Sequence, residues 1–372
     1  MLSSTEYKRI KEKSVTGRYV INEQIISVLE KLPSEFSVSY IGDSVQKRKI
    51  YSVTVGNGSN KILMWSQMHG NESTTTKAVL DLFNYLQEDT KEVHEIKANC
   101  TLHIIPMLNP DGADAYTRIN ANKIDLNRDA QNQTQPESTI LMAEYKKFKP
   151  NYCFNLHDQR TIFNVGTTNK PATVSFLAPA HDEERTISTT RGISMQLIVA
   201  MNTELQKLIP GQVGRYDDGF NANCVGDTFQ MLHIPTILFE SGHYPNDYER
   251  ETTRELIYIS LLKAIGTISL GIITNYSQKD YTAIPENGKL FLDVLISNVE
   301  EINPNLDANT DIGILFKETL KDGFIEFVPT IEKVGKLKNS YYGHKTYNCL
   351  KDEELFVLKK EPFIELLEEY IA

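Results

Sequence analysis

From Ile50 to Ile272, short apolar runs rich in β-branched residues alternate with stretches of helical period. Ile50–Val55 alternates apolar and polar positions and ends at Gly56-Asn57-Gly58, a hairpin-turn signature. Ile62–Gln67 is a second strand. In Thr74–Gln87, Ala78, Leu82 and Leu86 mark one face with Val79 and Phe83 beside it, which predicts a helix. Leu102–Met107 reads as a strand stopped by Asn109-Pro110-Asp111-Gly112, a tetrad that predicts a turn. Tyr152–Leu156, Val174–Ala178 and Ile234–Phe239 are further strands; Ile187–Leu208 and Thr252–Ile272 are helical. Strands this apolar, separated by helices, predict an α/β fold: a mostly parallel mixed sheet with helices on both faces.

The pattern changes after Ser277. Leu290–Ile296 and Ile312–Phe316 alternate with Pro-, Gly- and Asn-containing turns, and Asp352–Tyr370 is an amphipathic tail. The expected organisation is a large catalytic domain over residues 1–276 and a small α+β domain over 277–372. A chain of 372 residues has ample length for both.

Composition narrows the partners. A net charge of −10 argues against nucleic acid or an anionic membrane as the main partner. Ala264–Asn275, the longest uncharged apolar-leaning stretch, is too short to cross a bilayer. Met1–Lys13 has no apolar signal core, so a cytoplasmic protein is expected. Cys100, Cys153, Cys224 and Cys349 form no Cys-x-x-Cys pair and are expected to be free thiols.

In open α/β sheets, ligands bind beyond the carboxyl ends of the strands. After Ile62–Gln67 come His69 and Glu72, and after Leu102–Met107 the chain leads to Arg118, Asp125, Asn127 and Arg128. His157 follows Tyr152–Leu156, and Glu240 follows Ile234–Phe239 directly. Each has a bland reading alone: a helix entry, a turn, a satisfied histidine, a capping loop. Together they supply two imidazoles and a carboxylate for one Zn²⁺, leaving a position open for water as catalytic zinc sites do. Glu240 is suited to be the general base and Arg118 to stabilise an oxyanion. Asn127 and Arg128 offer planar donors for a carboxylate. His243, three residues past Glu240, is a candidate pocket residue. Asp158 is either a second layer behind the ligands or a loop cap. Asp217-Asp218 is read as a solvated loop.

His69-x-x-Glu72, Asn109-Pro110-Asp111-Gly112, Arg118, Asp125-Leu126-Asn127-Arg128, His157 and Glu240-Ser241-Gly242 together resemble the zinc metallocarboxypeptidase family over residues 15–275. The resemblance implies the carboxypeptidase A-like fold and one zinc ion on His69, Glu72 and His157. It implies Glu240 as base, Arg118 on the scissile carbonyl, and Asn127 with Arg128 on the terminal carboxylate of the substrate. It further implies Asp125 as the acid that hydrogen-bonds a ligating histidine. Tyr216, in Gly214–Phe220, is the nearest match to the family's loop tyrosine. The span from Glu72 to His157, and Asp125–Arg128, are also similar to the succinylglutamate desuccinylase/aspartoacylase branch. The expected function is a zinc carboxypeptidase acting on a small peptide or peptide-like substrate with a free carboxylate. The alternative is a zinc-dependent N-acyl amino acid deacylase; a non-catalytic peptide-binding relative ranks third.

Overall fold

The computed structural model describes residues 4–371. The helices are α1 (Ser4–Ile10), α2 (Asn22–Leu29), α3 (Thr74–Tyr85), α4 (Lys91–Asn99), α5 (Pro110–Asp114), α6 (Pro136–Phe148), α7 (Thr189–Leu205), α8 (Val225–Met231), α9 (Glu251–Ser269), α10 (Asp352–Leu358) and α11 (Ile364–Ile371). The first nine strands are β1 (Ser37–Asp43), β2 (Lys49–Val55), β3 (Asn60–Ser66), β4 (Cys100–Ile105), β5 (Tyr152–Asp158), β6 (Asn164–Val165), β7 (Val174–Leu177), β8 (Val213–Arg215) and β9 (Thr236–Ser241). Five follow: β10 (Asn287–Gly288), β11 (Phe291–Ser297), β12 (Asp311–Lys321), β13 (Phe324–Gly335) and β14 (Tyr342–Asn348).

Eight strands form the main sheet in the order β1-β2-β4-β3-β5-β9-β7-β8. Its centre, β4-β3-β5-β9, is parallel, and antiparallel pairs flank it at β2–β4 and β9–β7. Both faces are covered. Along β3, Ile62 and Met64 enter one apolar cluster with residues of α3, α7 and α9, while Leu63 and Trp65 enter another with residues of α6 and α8. That is the period-two alternation of a strand buried on both sides. The expected mixed α/β sheet is what the chain forms.

Two local expectations are corrected. Gly56–Gly58 does not close a hairpin, because β4 inserts between β2 and β3. The segment instead hugs the end of α4: Asn57 N donates to Lys97 O, and a Cβ on Gly58 would lie 1.9 Å from the Asn99 carbonyl carbon. Asn109–Gly112 is not a free turn but the start of α5. Asn109 accepts from Gly112 N, and Pro110 occupies the first turn, where its missing N–H costs nothing.

A fully buried ion pair ties α9 to α3: Arg254 donates to both oxygens of Asp81, at 2.5 and 2.7 Å, and Tyr7 of α1 donates to the same carboxylate. The second sheet has the order β13-β12-β11-β14. The tail Asp352–Tyr370 divides into α10 and α11 around Pro362. This sheet is stitched to the main body by the β6–β10 pairing, by His344 Nε2 donating to Thr161 O, and by Tyr248 donating to Asp293. The four cysteines are free thiols. No described helix is long and apolar enough to cross a membrane.

Candidate metal centre and active site

The chain leaves β3 through Gln67, whose backbone is left-handed (φ 48°) and whose amide donates to Val20 O and Gly70 O. This bend sets the His69–Glu72 turn, closed by Glu72 N donating to His69 O. Gly70 is required there, since a Cβ would lie 1.9 Å from the carbonyl carbon of Gly112 in α5. β5 delivers His157, and β9 delivers Glu240 beside it in parallel register.

His69, Glu72 and His157 are buried, with one ligand atom from each lying within 4.8 Å of the others. His69 Nδ1 lies 2.9 Å from Glu72 Oε1, His157 Nδ1 lies 2.8 Å from Glu72 Oε2, and the two Nδ1 atoms are 3.1 Å apart. No placement of ring protons satisfies all three contacts. The outer nitrogen of His69, Nε2, faces Asp125 Oδ1 at 3.1 Å; if neutral His69 keeps its proton there, the Nδ1 lone pair is aimed at the Glu72 carboxylate. Two acceptors at that distance call for a cation between them. Tetrahedral zinc with bonds of roughly 2.1 Å needs ligand separations of about 3.4 Å. The observed separations of 2.8–3.1 Å are a few tenths of an ångström tighter, and the nitrogen and carboxylate donors are of the types a small divalent ion takes once they open by that much.

Electrostatics concentrate at this point. Burial raises the Glu72 carboxyl, but the two imidazoles outweigh it and hold it well below the usual range. Burial lowers both histidines; for His69, Glu72 and Asp125 reverse the direction, while His157 stays lowered. Glu240 has no partner for Oε2. Its pKa is pushed well up, first by burial and then by Glu72 and Asp158, against Arg118 and Arg250.

A cavity of about 490 Å³ opens beside these groups and collects most of the expected residues. Arg118, half-exposed, donates from Nε to Asp125 at 3.0 Å and lies 3.4 Å from Glu72. Asn127 and Arg128 sit on a 3₁₀ turn that Asp125 caps through Asn127 N. Asn127 Oδ1 accepts from Val225 N, which turns its amide N–H group toward a ligand. Tyr216 is also in the cavity wall, its ring against Phe163 at 5.3 Å.

His243 is a correction. It does not line the cavity but is buried between Tyr248 and His344, at ring distances of 4.6 and 4.3 Å, because the chain after β9 dives toward the second sheet. Asp158 takes the second-layer role and does not cap the loop that follows it. Its backbone N–H donates to Glu72, and its side chain caps α3 by accepting from Thr74 N and Oγ1. Asp217 and Asp218 are drawn to Arg185 and the buried Arg191.

Sequence reasoning missed Arg18, Arg250, Glu318 and Asp227, which also line the cavity. Nothing local marks Arg18 or Glu318, which meet across the whole chain.

Residues 21–188 match the family model described as zinc carboxypeptidase. That segment is similar to a zinc carboxypeptidase domain. Human Carboxypeptidase D is 25% identical over 190 residues, covering 44% of this chain and 14% of that protein. Carboxypeptidase D of Anas platyrhynchos is 24% identical over 260 residues, covering 62% of this chain and 18% of its own. The chain therefore spans less than a fifth of these curated relatives. Among solved structures, a metallo-carboxypeptidase from Burkholderia cenocepacia superposes with a TM-score of 0.53 at 18% identity, covering 68% of this chain and 69% of that one. At that identity the likeness speaks for the fold. The His69–Glu72–His157 set is a candidate metal site of the kind a zinc carboxypeptidase domain would use.

Proposed function

We propose that the protein is a single-zinc carboxypeptidase that hydrolyses the amide before the terminal carboxylate of a peptide. One observation carries this reading: both Nδ1 atoms and the Glu72 carboxylate converge on one point, with the unpartnered Glu240 one strand away.

His69, Glu72 and His157 would hold the ion, which supplies Lewis acidity for water and for the scissile carbonyl. Asp125 fixes the ring of His69, so that Nε2 keeps its proton and Nδ1 its lone pair. Glu240 takes a proton from the attacking water and returns it to the leaving amine. Arg118 stabilises negative charge developing on the carbonyl oxygen. Asn127 Nδ2 and the Arg128 guanidinium clamp the terminal carboxylate, and Tyr216 shapes the wall against which the terminal residue lies.

The test is to incubate metal-loaded protein with a mixed peptide library and with N-acyl amino acids, with and without chelator, and to identify products by mass spectrometry. Chelator-sensitive release of C-terminal residues, lost in Glu240→Gln, is expected. Chelator-insensitive cleavage, or full activity in Glu240→Gln, refutes the mechanism. Release of acyl groups alone would reassign the protein as a deacylase.

A further inference from the structure

The cavity has a wall that the proposed hydrolysis does not use, built by Arg18, Arg160, Arg250, Asp158 and Glu318. Every nitrogen of Arg18 is engaged: Nη1 with Thr74 and Asp158, Nη2 and Nε with Glu318. Glu318 also accepts from Tyr116. Asp158 Oδ2 is taken up by Arg18 and Thr74, and its Oδ1 is buried with no hydrogen-bond partner. The two carboxylates are thus spent on one guanidinium.

Arg250 is different. It is 2% exposed, yet among the described residues its side chain has one hydrogen bond, from Nη1 to Ser241 O at 2.5 Å, and no ion pair. Its Nε and Nη2 have no protein acceptor. Its backbone is left-handed (φ 57°), a conformation uncommon for a non-glycine residue. Burial, strain and unmet donors coincide in one side chain on a cavity wall, a combination that marks functional positions. Arg160, exposed on the same cavity, likewise has no hydrogen bond or ion pair with a described residue. With three guanidinium groups against two carboxylates, the wall carries one positive charge in excess.

We propose that this wall is a subsite for a carboxylate on the acyl part of the substrate, held by Arg250 through its two free donors and attracted by Arg160. The orientation rests on the proposed function: with the terminal carboxylate at Asn127 and Arg128, the acyl part must run toward another wall. The carboxylate is either the side chain of an acidic penultimate residue or the far end of a dicarboxylic acyl group. Both present the same planar oxygens to a guanidinium fork.

The experiment uses matched pools in which X spans the twenty amino acids: acetyl-Glu-X against acetyl-Gln-X, and succinyl-X against succinamoyl-X. A charge-assisted hydrogen bond predicts a preference of roughly tenfold to hundredfold in kcat/KM for the acidic member of at least one pair. The pair that shows it identifies the source. Arg250→Met should erase the preference, and Arg250→Lys, which keeps the charge within the wall, should reduce it. If Arg250→Met does not fold, Arg250→Lys and Arg160→Gln carry the comparison, with zinc content and melting temperature as folding checks. Native mass spectrometry of Glu240→Gln protein with the same pools reads binding without turnover. Selective uptake of the acidic ligands, lost in Glu240→Gln/Arg250→Lys, supports the subsite even if nothing is cleaved, in which case the hydrolase reading alone fails. Equal cleavage or equal uptake of acidic and neutral members overturns the subsite and leaves the hydrolase reading standing.

Discussion

Replacing Asp125 tests the metal centre without touching a ligand. Asp125 Oδ1 meets His69 Nε2 at 3.1 Å, and Oδ2 accepts from Arg118 Nε at 3.0 Å. Carboxylates behind a ligating histidine typically contribute 10–100-fold to metal affinity, or about 1.4–2.7 kcal/mol. Asparagine keeps an oxygen for the ring N–H but loses the charge and turns an amide donor on Arg118 Nε, so Asp125→Asn should weaken zinc binding by about tenfold. Alanine removes the acceptor and should weaken it by about a hundredfold. The two variants should also differ without metal. Asp125 caps the turn at Asn127 N, a role asparagine retains, whereas alanine gives up about 1 kcal/mol of stability. Competition against a chromogenic chelator reads the affinities, and thermal melting in excess chelator reads the apo stability. Wild-type zinc affinity in both variants would show that His69 is not oriented by Asp125, and with it the ligand geometry given above would fall.

Three further outcomes follow from the packing. Gly70→Ala drives a methyl into the backbone of Gly112, so zinc content should fall and the melting temperature drop by a margin beyond ordinary surface variants; near-native values would refute the close approach. Arg254→Met leaves Asp81 buried without its cation and should cost about 3–5 kcal/mol in urea unfolding, against less than about 1 if the pair is idle. Burial pushes the Asp227 carboxyl up to about 7, from about 3.9 in an unfolded chain. Between those values the native state holds a proton the unfolded state has lost, so Asp227 destabilises progressively as pH rises from about 4 to about 7. Asp227→Asn should flatten the fall in melting temperature across that window; an unchanged slope would refute it.

The site was legible in the sequence because its residues sit where strands end. An apolar run predicts a strand, and the polar residue that ends it is placed by the sheet; His69, His157 and Glu240 came from that rule. Strand neighbours were less legible. Gly56–Gly58 carries the composition of a hairpin, but pairing is decided by β4, some forty residues on, whose apolar face competes better for the centre of the sheet. Asn109–Gly112 misled because Asn-Pro opens a helix as readily as it makes a turn. His243 misled because proximity in sequence to Glu240 says nothing about which way the following loop runs. Arg18, Arg250 and Glu318 left no signal, since each owes its place to contacts remote in sequence.

The contact between Arg18 and Glu318 joins residues 300 positions apart. A ribosome releases Arg18, the metal ligands and Glu240 well before it releases β12. Domains form from the N-terminal side as the chain emerges, so one wall of the cleft is the last to be laid down. Until then Arg18 lacks the acceptor for its Nε and Nη2. The second sheet thus couples completion of the cleft to completion of the polypeptide, and a ribosome that stalls near residue 300 would leave a chain with the metal ligands assembled but the wall lacking Glu318.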